Sequence, residues 1–417
     1  MHCLSLQAVD HLLIPLANGM HLLYKQVTGT EIAHAGFVVN TGSRDELPTE
    51  WGLAHFLEHM LFKGTRKRKA YHVLSRLDAV GGDLNAYTTR ERTCLHASFR
   101  NLHFNRAFEL LCDIFFEASF PEKELAREQQ VVLEELLMYQ DEWDERILDE
   151  FESELFAHQP LGRPILGSSE TVASFGRQQL LDFRSRNYTA DNLVFCYVGP
   201  MLWSRFERKV VPVLEARELS PKGPLRHPAQ AAAPFQKQLE QASSSAYAVT
   251  GNVAYAVNDE RRLGLLLLNN LLGGENMNSR LNMSIRERNG LVYGIESAYS
   301  PYSDTGLFYI FYSTDVRKQE RVHQLLLKEL ALLRKNKLGH LQLHLAKQQF
   351  ISRLLMAEEN RSGLMLALGH SFFDHGKVDS LAEMVKRVEA LDATDLLDIA
   401  NHVFNPDQLS TLVYKPD

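Results

Sequence analysis

The chain carries an internal echo of itself, and that echo limits the folds it can adopt. When its numbering is shifted by 212, Gly82-Asp-Leu-Asn-Ala86-Tyr87 falls on Gly294-Ile-Glu-Ser-Ala298-Tyr299. Thr93, Leu95 and Phe99 fall on Thr305, Leu307 and Phe311, and Gly52 falls on Gly264. Near the two ends, Tyr188-Thr-Ala-Asp191-Asn-Leu193 resembles Phe404-Asn-Pro-Asp407-Gln-Leu409 at a slightly larger shift. A chain of 417 residues built this way is expected to be a duplicated α+β unit of about two hundred residues. Between the copies, five prolines from Pro212 to Pro234 interrupt a stretch without periodicity. It is expected to be an extended linker. The expected division is 1–212, a linker at 213–235, and 236–417.

Within the first copy, apolar clusters at Leu13–Tyr24 and Ala33–Val39, with Asn18-Gly19 in the first, suggest a hairpin. Leu84–Phe99 suggests two more strands turning near Thr88–Arg92, and Leu193–Val198 a short buried strand. Helices are expected at Tyr71–Val80, stopped by Gly81-Gly82, at Phe104–Ala118, and from about Glu122 to Met138. Both copies are thus expected to combine mostly antiparallel strands with helices.

The chemistry concentrates in Gly52-Leu-Ala-His55-Phe-Leu-Glu58-His59-Met-Leu-Phe-Lys-Gly64. On a helix, His55 and His59 project from one face a turn apart, which lets two imidazoles reach one metal ion. Glu58 stands beside the second imidazole, where a carboxylate could take a proton from water. His-x-x-Glu-His is the inverzincin pattern, a reversed His-Glu-x-x-His; only the placement of two nitrogens and a carboxylate matters. Phe56, Leu57, Met60, Leu61 and Phe62 surround the polar groups with apolar bulk, so they should be buried and in need of partners.

The second copy acts as a control. At the same shift, His55, Glu58 and His59 become Leu267, Asn270 and Leu271. An apolar helix persists there without the three polar residues, which favours chemistry over packing as their purpose. Two histidines need a third ligand from another element. The segment from Glu128 to Met138 offers Glu128, Glu134 and Glu135; the first and last, seven apart, share a helix face, while Glu134 points elsewhere. Val131, Val132, Leu136 and Met138 suggest that this helix is deeply buried.

Composition excludes some classes. A net charge of −7 argues against nucleic acid as a partner. No apolar run approaches the ~18 residues of a membrane span. Cys3, Cys94, Cys112 and Cys196 show no Cys-x-x-Cys spacing, so reduced thiols are expected. Met1–Tyr24 lacks a basic start and suggests a first strand rather than a signal peptide. A cytoplasmic location is the expectation.

The order His55-x-x-Glu58-His59, then Glu135 after 75 intervening residues, resembles the pitrilysin, insulysin and mitochondrial processing peptidase family. So do Asn18-Gly19, Gly42-Ser43-Arg44, Asn85-Ala86, Pro160-Leu-Gly-Arg-Pro-Ile-Leu-Gly167 and Gly273-Gly274 to Leu281, in sequence. The likeness spans nearly the whole chain and is to the short members that form one half of a clamshell. It implies two αβ-roll domains, one Zn2+ per chain held by His55, His59 and Glu135, Glu58 as general base, and Glu128 supporting the ligands. It implies that Asn85 and Ala86 lie on an edge strand that receives extended peptide. It further implies that Arg286 and Tyr293, seven apart, hold the substrate carbonyl and stabilise the oxyanion; Arg288 has the wrong spacing to Tyr293.

In such families the Arg/Tyr domain faces the zinc domain of the opposite half. Because this chain carries both parts, a homodimer with composite sites is expected, acting as a zinc metalloendopeptidase on unfolded peptides. The competing expectations are a non-catalytic peptide-binding or scaffold subunit, and an active subunit that needs a different partner chain.

Overall fold

A computed structural model of the chain describes residues 11–416; the expectations about Met1–Asp10, Cys3 included, lie outside the described residues. The first strands are β1 (His11–Pro15) and β2 (His21–Gln26), an antiparallel hairpin whose turn places Gly19 at φ 90. That left-handed conformation suits glycine. With β3 (Ile32–Val39), β4 (Asp83–Thr88), β5 (Thr93–Arg100) and β6 (Leu193–Gly199) they form a sheet of order β1-β2-β6-β3-β5-β4. The second sheet contains β7 (Gln236–Gln241), β8 (Ala246–Ala254), β9 (Val292–Pro301), β10 (Gly306–Thr314) and β11 (Ser410–Pro416), in the order β7-β11-β8-β10-β9.

Apart from β1, an additional edge strand of the first sheet, the two sheets share one topology. In each, a single parallel pair (β2 with β6, β7 with β11) continues into antiparallel neighbours. The fold is α+β, and the duplication is visible in its strand order. The alignment of the copies differs by one residue from the expected shift. Thr88 pairs with Thr93 at the end of the first hairpin, and Pro301 pairs with Gly306 at the end of the second, a shift of 213. Leu95, Ala97 and Phe99 face the helix-packed core of the first sheet; Phe308, Ile310 and Tyr312 do so in the second. A strand's side chains alternate, so the identities that match Leu95 with Leu307 put residues of opposite faces together. The helix Arg262–Leu272 contains no histidine or acidic residue, so the contrast with the first copy survives in any register.

Both sheets are covered on both sides. In the first, α1 (Leu53–Leu61), α2 (Ala70–Asp78), α3 (Phe104–Glu117) and α4 (Glu122–Gln140) contribute to the main core. The opposite face buries Leu23, Val38, Cys94, Val194, Cys196 and Val198 under Met365 and Leu368 of the helix Arg361–His375. A Cβ on Gly369 would come within 2.9 Å of Cys196 Sγ, so that helix lies directly on the strand. In the second sheet the corresponding face holds Val249, Leu307 and Leu412 under Ile147, Phe151 and Leu155 of α5 (Trp143–Leu155).

Each compact unit is therefore completed by a helix from the other half of the sequence. The first comprises the chain up to Leu137, Arg163–His227 and Met356–Ser380; the second comprises Met138–Gly162, Pro228–Leu355 and Leu381 onward. This interleaving differs from the single cut expected from composition, because the apolar outer face of each sheet recruits a distant helix. Nor does the linker begin at 213. The helix Trp203–Glu215 runs through Pro212, and irregular chain follows. Arg226 on that irregular stretch is anchored by Asp45 (2.7 Å) and by the carbonyls of Asn40 and Glu91. The linker is thus pinned to the first unit.

Candidate metal centre

The helix α1 begins where backbone geometry leaves little choice. Its N-cap, Gly52, adopts φ 90, and a Cβ there would meet Leu166 O at 2.5 Å. Gly167, at φ 76, abuts Trp51 and Gly52, so the Leu166-Gly167 turn braces the start of the helix. The buried Glu46 carboxylate accepts from the N–H groups of Gly52 (3.0 Å) and Ala54 (2.8 Å), a favourable position for an acid at a helix N-terminus. Burial nevertheless holds the Glu46 carboxyl well above its ordinary pKa. Arg163 donates to Glu46 O at 2.7 Å. Leu53, Ala54, Phe56, Leu57, Met60 and Leu61 seat the helix in the core, as expected from its apolar flanks.

His55 and His59 emerge one turn apart with ring centroids separated by 4.5 Å. Glu135 comes from α4 to meet both. His55 Nε2 lies 3.8 Å from Glu135 Oε1, and His59 Nε2 lies 3.7 Å from Glu135 Oε2. The three ligand atoms all fall within 4.8 Å of one another. Tetrahedral ligands about 2.0–2.1 Å from zinc stand about 3.3 Å apart, so a small contraction would seat an ion. These residues fit the metal that the chemistry implies: two neutral nitrogens, one carboxylate, and a carboxylate neighbour outside the set.

Protonation suits the same purpose. Burial, helped by the adjacent His59, pushes the His55 pKa down to about 3. His59 is different. Burial lowers its pKa too, but the Glu128 hydrogen bond and the charges of Glu135, Glu128 and Glu58 outweigh it and raise the value. His59 Nδ1 stands 2.9 Å from Glu128 Oε1. An ionised carboxylate only accepts, so Nδ1 carries the hydrogen and Nε2 keeps its lone pair toward Glu135. Glu128 is in turn held by Lys63 Nζ at 2.6 Å. Burial would raise the Glu128 pKa, but His59 and Lys63 together hold it below the usual carboxylate value. Lys63 was not singled out from the sequence, although its place four residues after His59, on one helical face, was a usable signal.

Glu58 sits beside this cluster without belonging to it. Burial raises its pKa, against the opposing pull of the Thr88 hydroxyl and His59. The helix α4 departs from expectation: Val132 and Glu128 are buried, but Val131 and Met138 are exposed. Only its inner stripe meets the core, and Glu134 is exposed as expected. Asn85 and Ala86 lie on β4, the edge of the first sheet, opposite His96 and Leu95 of β5. The helix α1 packs against β4, which brings that edge strand to the metal helix.

Arg286 and Tyr293 belong to the second unit. Arg286 is exposed on a π-helical turn, Asn282–Glu287, and Tyr293 is exposed near the start of β9. Such wide turns are rare and recur at functional sites. The structure thus gathers His55, Glu58, His59, Glu128 and Glu135 in one unit and presents Arg286 and Tyr293 to solvent on the other.

Residues 22–169 match the family described as insulinase (peptidase family M16), and residues 174–350 match the peptidase M16 inactive domain. A protein of Bacillus subtilis (strain 168), named an uncharacterized zinc protease, is 31% identical over 397 residues, 95% of this chain and 96% of its own length. The chain belongs to peptidase family M16. A second M16 relative, an uncharacterized zinc protease of Rickettsia bellii (strain RML369-C), is 32% identical over 403 residues, covering 95% of this chain and 96% of its own. Two crystal structures share the fold at 20% identity. One is a peptidase M16 inactive domain from Pseudomonas fluorescens, with a TM-score of 0.91 and 98% of both chains covered. The other is a protease from Helicobacter pylori, with a TM-score of 0.88 covering 97% of this chain and 99% of that one. As in those family descriptions, the peptidase motif lies in the first copy and the second copy lacks it. Among the described residues, no helix is long and apolar enough to cross a membrane.

Proposed function

We propose that this chain is a zinc-dependent endopeptidase acting on extended, unfolded peptides, with one zinc ion per chain held by His55, His59 and Glu135. The observation that carries the reading is the convergence of those three side chains, within 4.8 Å, beside a half-buried carboxylate that is not one of the ligands. A bound zinc ion would polarise the scissile carbonyl and acidify water toward a pKa of about 7.

Glu58 then accepts the proton of the attacking water and passes it to the leaving amine, so that the nitrogen departs neutral. Its raised pKa makes the carboxylate a stronger base and so favours the first transfer, from water to Glu58. His59 is oriented by Glu128, which fixes the ring nitrogen offered to the metal. The edge of β4 at Asn85 and Ala86 takes substrate backbone as an added strand, which requires an extended chain. Arg286 and Tyr293 contribute donors for the oxyanion. Because they belong to the clamshell half opposite the zinc, the working assembly is a homodimer with two composite sites.

The test is a peptide-library digest read by mass spectrometry, with wild type beside Glu58→Gln and Glu135→Ala. Glu58→Gln should keep zinc and lose most turnover; hydrolysis at the wild-type rate overturns the assignment. Glu135→Ala should lose metal, and full zinc content by elemental analysis would remove it from the ligand set. A fully active monomer in sedimentation would refute the composite site. Activity only after adding a related chain would replace the homodimer with a heterodimer.

A further inference from the structure

The site as described leaves one side of Glu58 unexplained. Its Oε2 is sealed from solvent and has no hydrogen-bond partner in the protein. Thr88 Oγ1 is in the same condition, as is the hydroxyl of Tyr188. These three atoms come from different elements. Glu58 is on α1, Thr88 ends β4, and Tyr188 caps the helix Arg177–Asn187. They also sense each other. The Thr88 hydroxyl lies near enough to lower the Glu58 pKa, and the Glu58 charge raises that of Tyr188.

A buried polar atom without a partner typically costs about 1–3 kcal/mol, and native proteins leave few of them. Chance would not be expected to place an unpaired hydroxyl donor beside an unpaired carboxylate oxygen in one interior. Thr88 is well anchored for a donor. Its strand pairs it with Thr93, whose own hydroxyl donates to Thr41 O at 2.9 Å, and α1 packs against β4. Thr88 also lies two residues beyond Ala86, on the same side of the strand.

We infer that Thr88 is a positioning residue for Glu58: in the working enzyme its otherwise unpaired hydroxyl turns to donate to the buried Oε2 and leaves the other oxygen to the attacking water. This rests on the reading of Glu58 as general base. It ties the orientation of the base to β4, the strand that receives substrate.

The experiment compares wild type with Thr88→Val, Thr88→Ser and Glu58→Gln, each measured for zinc content, melting temperature, kcat and KM. Thr88→Val should lower kcat about ten- to hundredfold, part of the 10²–10⁴ a general base contributes, with KM within about twofold and zinc retained. Its melting temperature should fall by only a few degrees, because the variant leaves one buried carboxylate oxygen without its donor. Thr88→Ser should restore most of kcat. In a Glu58→Gln background, Thr88→Val should have no further effect. If Thr88→Val disturbs metal binding, Thr88→Ala takes its place with the same expectations. Turnover by the hydroxyl-free variant within twofold of wild type, alongside a slow Glu58→Gln, overturns the role of Thr88 alone. A Glu58→Gln enzyme as fast as wild type overturns the general base, and this inference with it.

Discussion

Acidification should loosen the first unit through a residue far from the metal in sequence, His370. It lies on the helix Arg361–His375, with Nε2 2.9 Å from the Tyr87 hydroxyl and 3.7 Å from Cys94 Sγ. Burial, aided by the Arg92 cation, lowers its pKa from 6.5 to about 4. The surrounding groups offer no compensating charge. Tyr87 and Cys94 are both held neutral by burial, and Arg92 is already paired with Asp374 at 2.6 Å.

The folded pKa lies below the unfolded one, so the stabilisation is complete above pH 6.5 and is lost as pH falls toward 4. At pH 5 the unfolded residue is almost fully protonated and the folded one mostly neutral, a difference of about 2 kcal/mol at 1.36 kcal/mol per pKa unit. The assay is urea unfolding at pH 7.5 and 5.0, followed by tryptophan emission with EDTA present so that metal release does not contribute. Between those pH values wild type should lose about 2 kcal/mol more than His370→Gln, roughly 1 M in urea midpoint. Other buried histidines, such as His34 and His96, titrate in both proteins and cancel. Parallel losses in the two proteins, within about 0.5 kcal/mol, would refute the reasoning.

Two further outcomes follow from the bracing of the metal helix. Gly167→Ala forces an L side chain to φ 76 and into the Trp51 backbone, and should destabilise the first unit by about 2 kcal/mol or more; an unchanged urea midpoint would contradict this. Glu128→Gln keeps the shape of the partner of His59 but removes its charge, and should weaken zinc binding about 10- to 100-fold. A competition titration against a chelating dye checks it, and wild-type affinity would deny Glu128 its part.

The metal helix was legible because its information is local. Two histidines at helical spacing, with apolar residues between them, predict one face and its burial without reference to any other element. Glu135 required the family resemblance, since three glutamates on α4 competed and the apolar residues there overstated its burial. The strand register was misjudged for a different reason. Thr93, Leu95 and Phe99 match Thr305, Leu307 and Phe311 by identity, yet only the hydrogen-bonded hairpin ends reveal which residue faces which core. The exchanged helices were not legible. Nothing in Arg361–His375 or Trp143–Leu155 states which sheet it covers, because that is decided by the apolar area each sheet leaves open. Unpaired atoms such as Glu58 Oε2 and Thr88 Oγ1 appear only when all side chains are in place.

The exchanged helices also set a timetable for synthesis. A ribosome releases the strands that contain Cys94, Cys196 and Val38 long before it releases Met365, Leu368 and Gly369, which cover them. During that interval a greasy sheet face stands bare. The sheet whose other face seats the metal helix is therefore translated early but covered late, and the nascent chain is at its stickiest while that face waits. Chaperone capture should peak before residue 361 emerges and decline once that helix has docked.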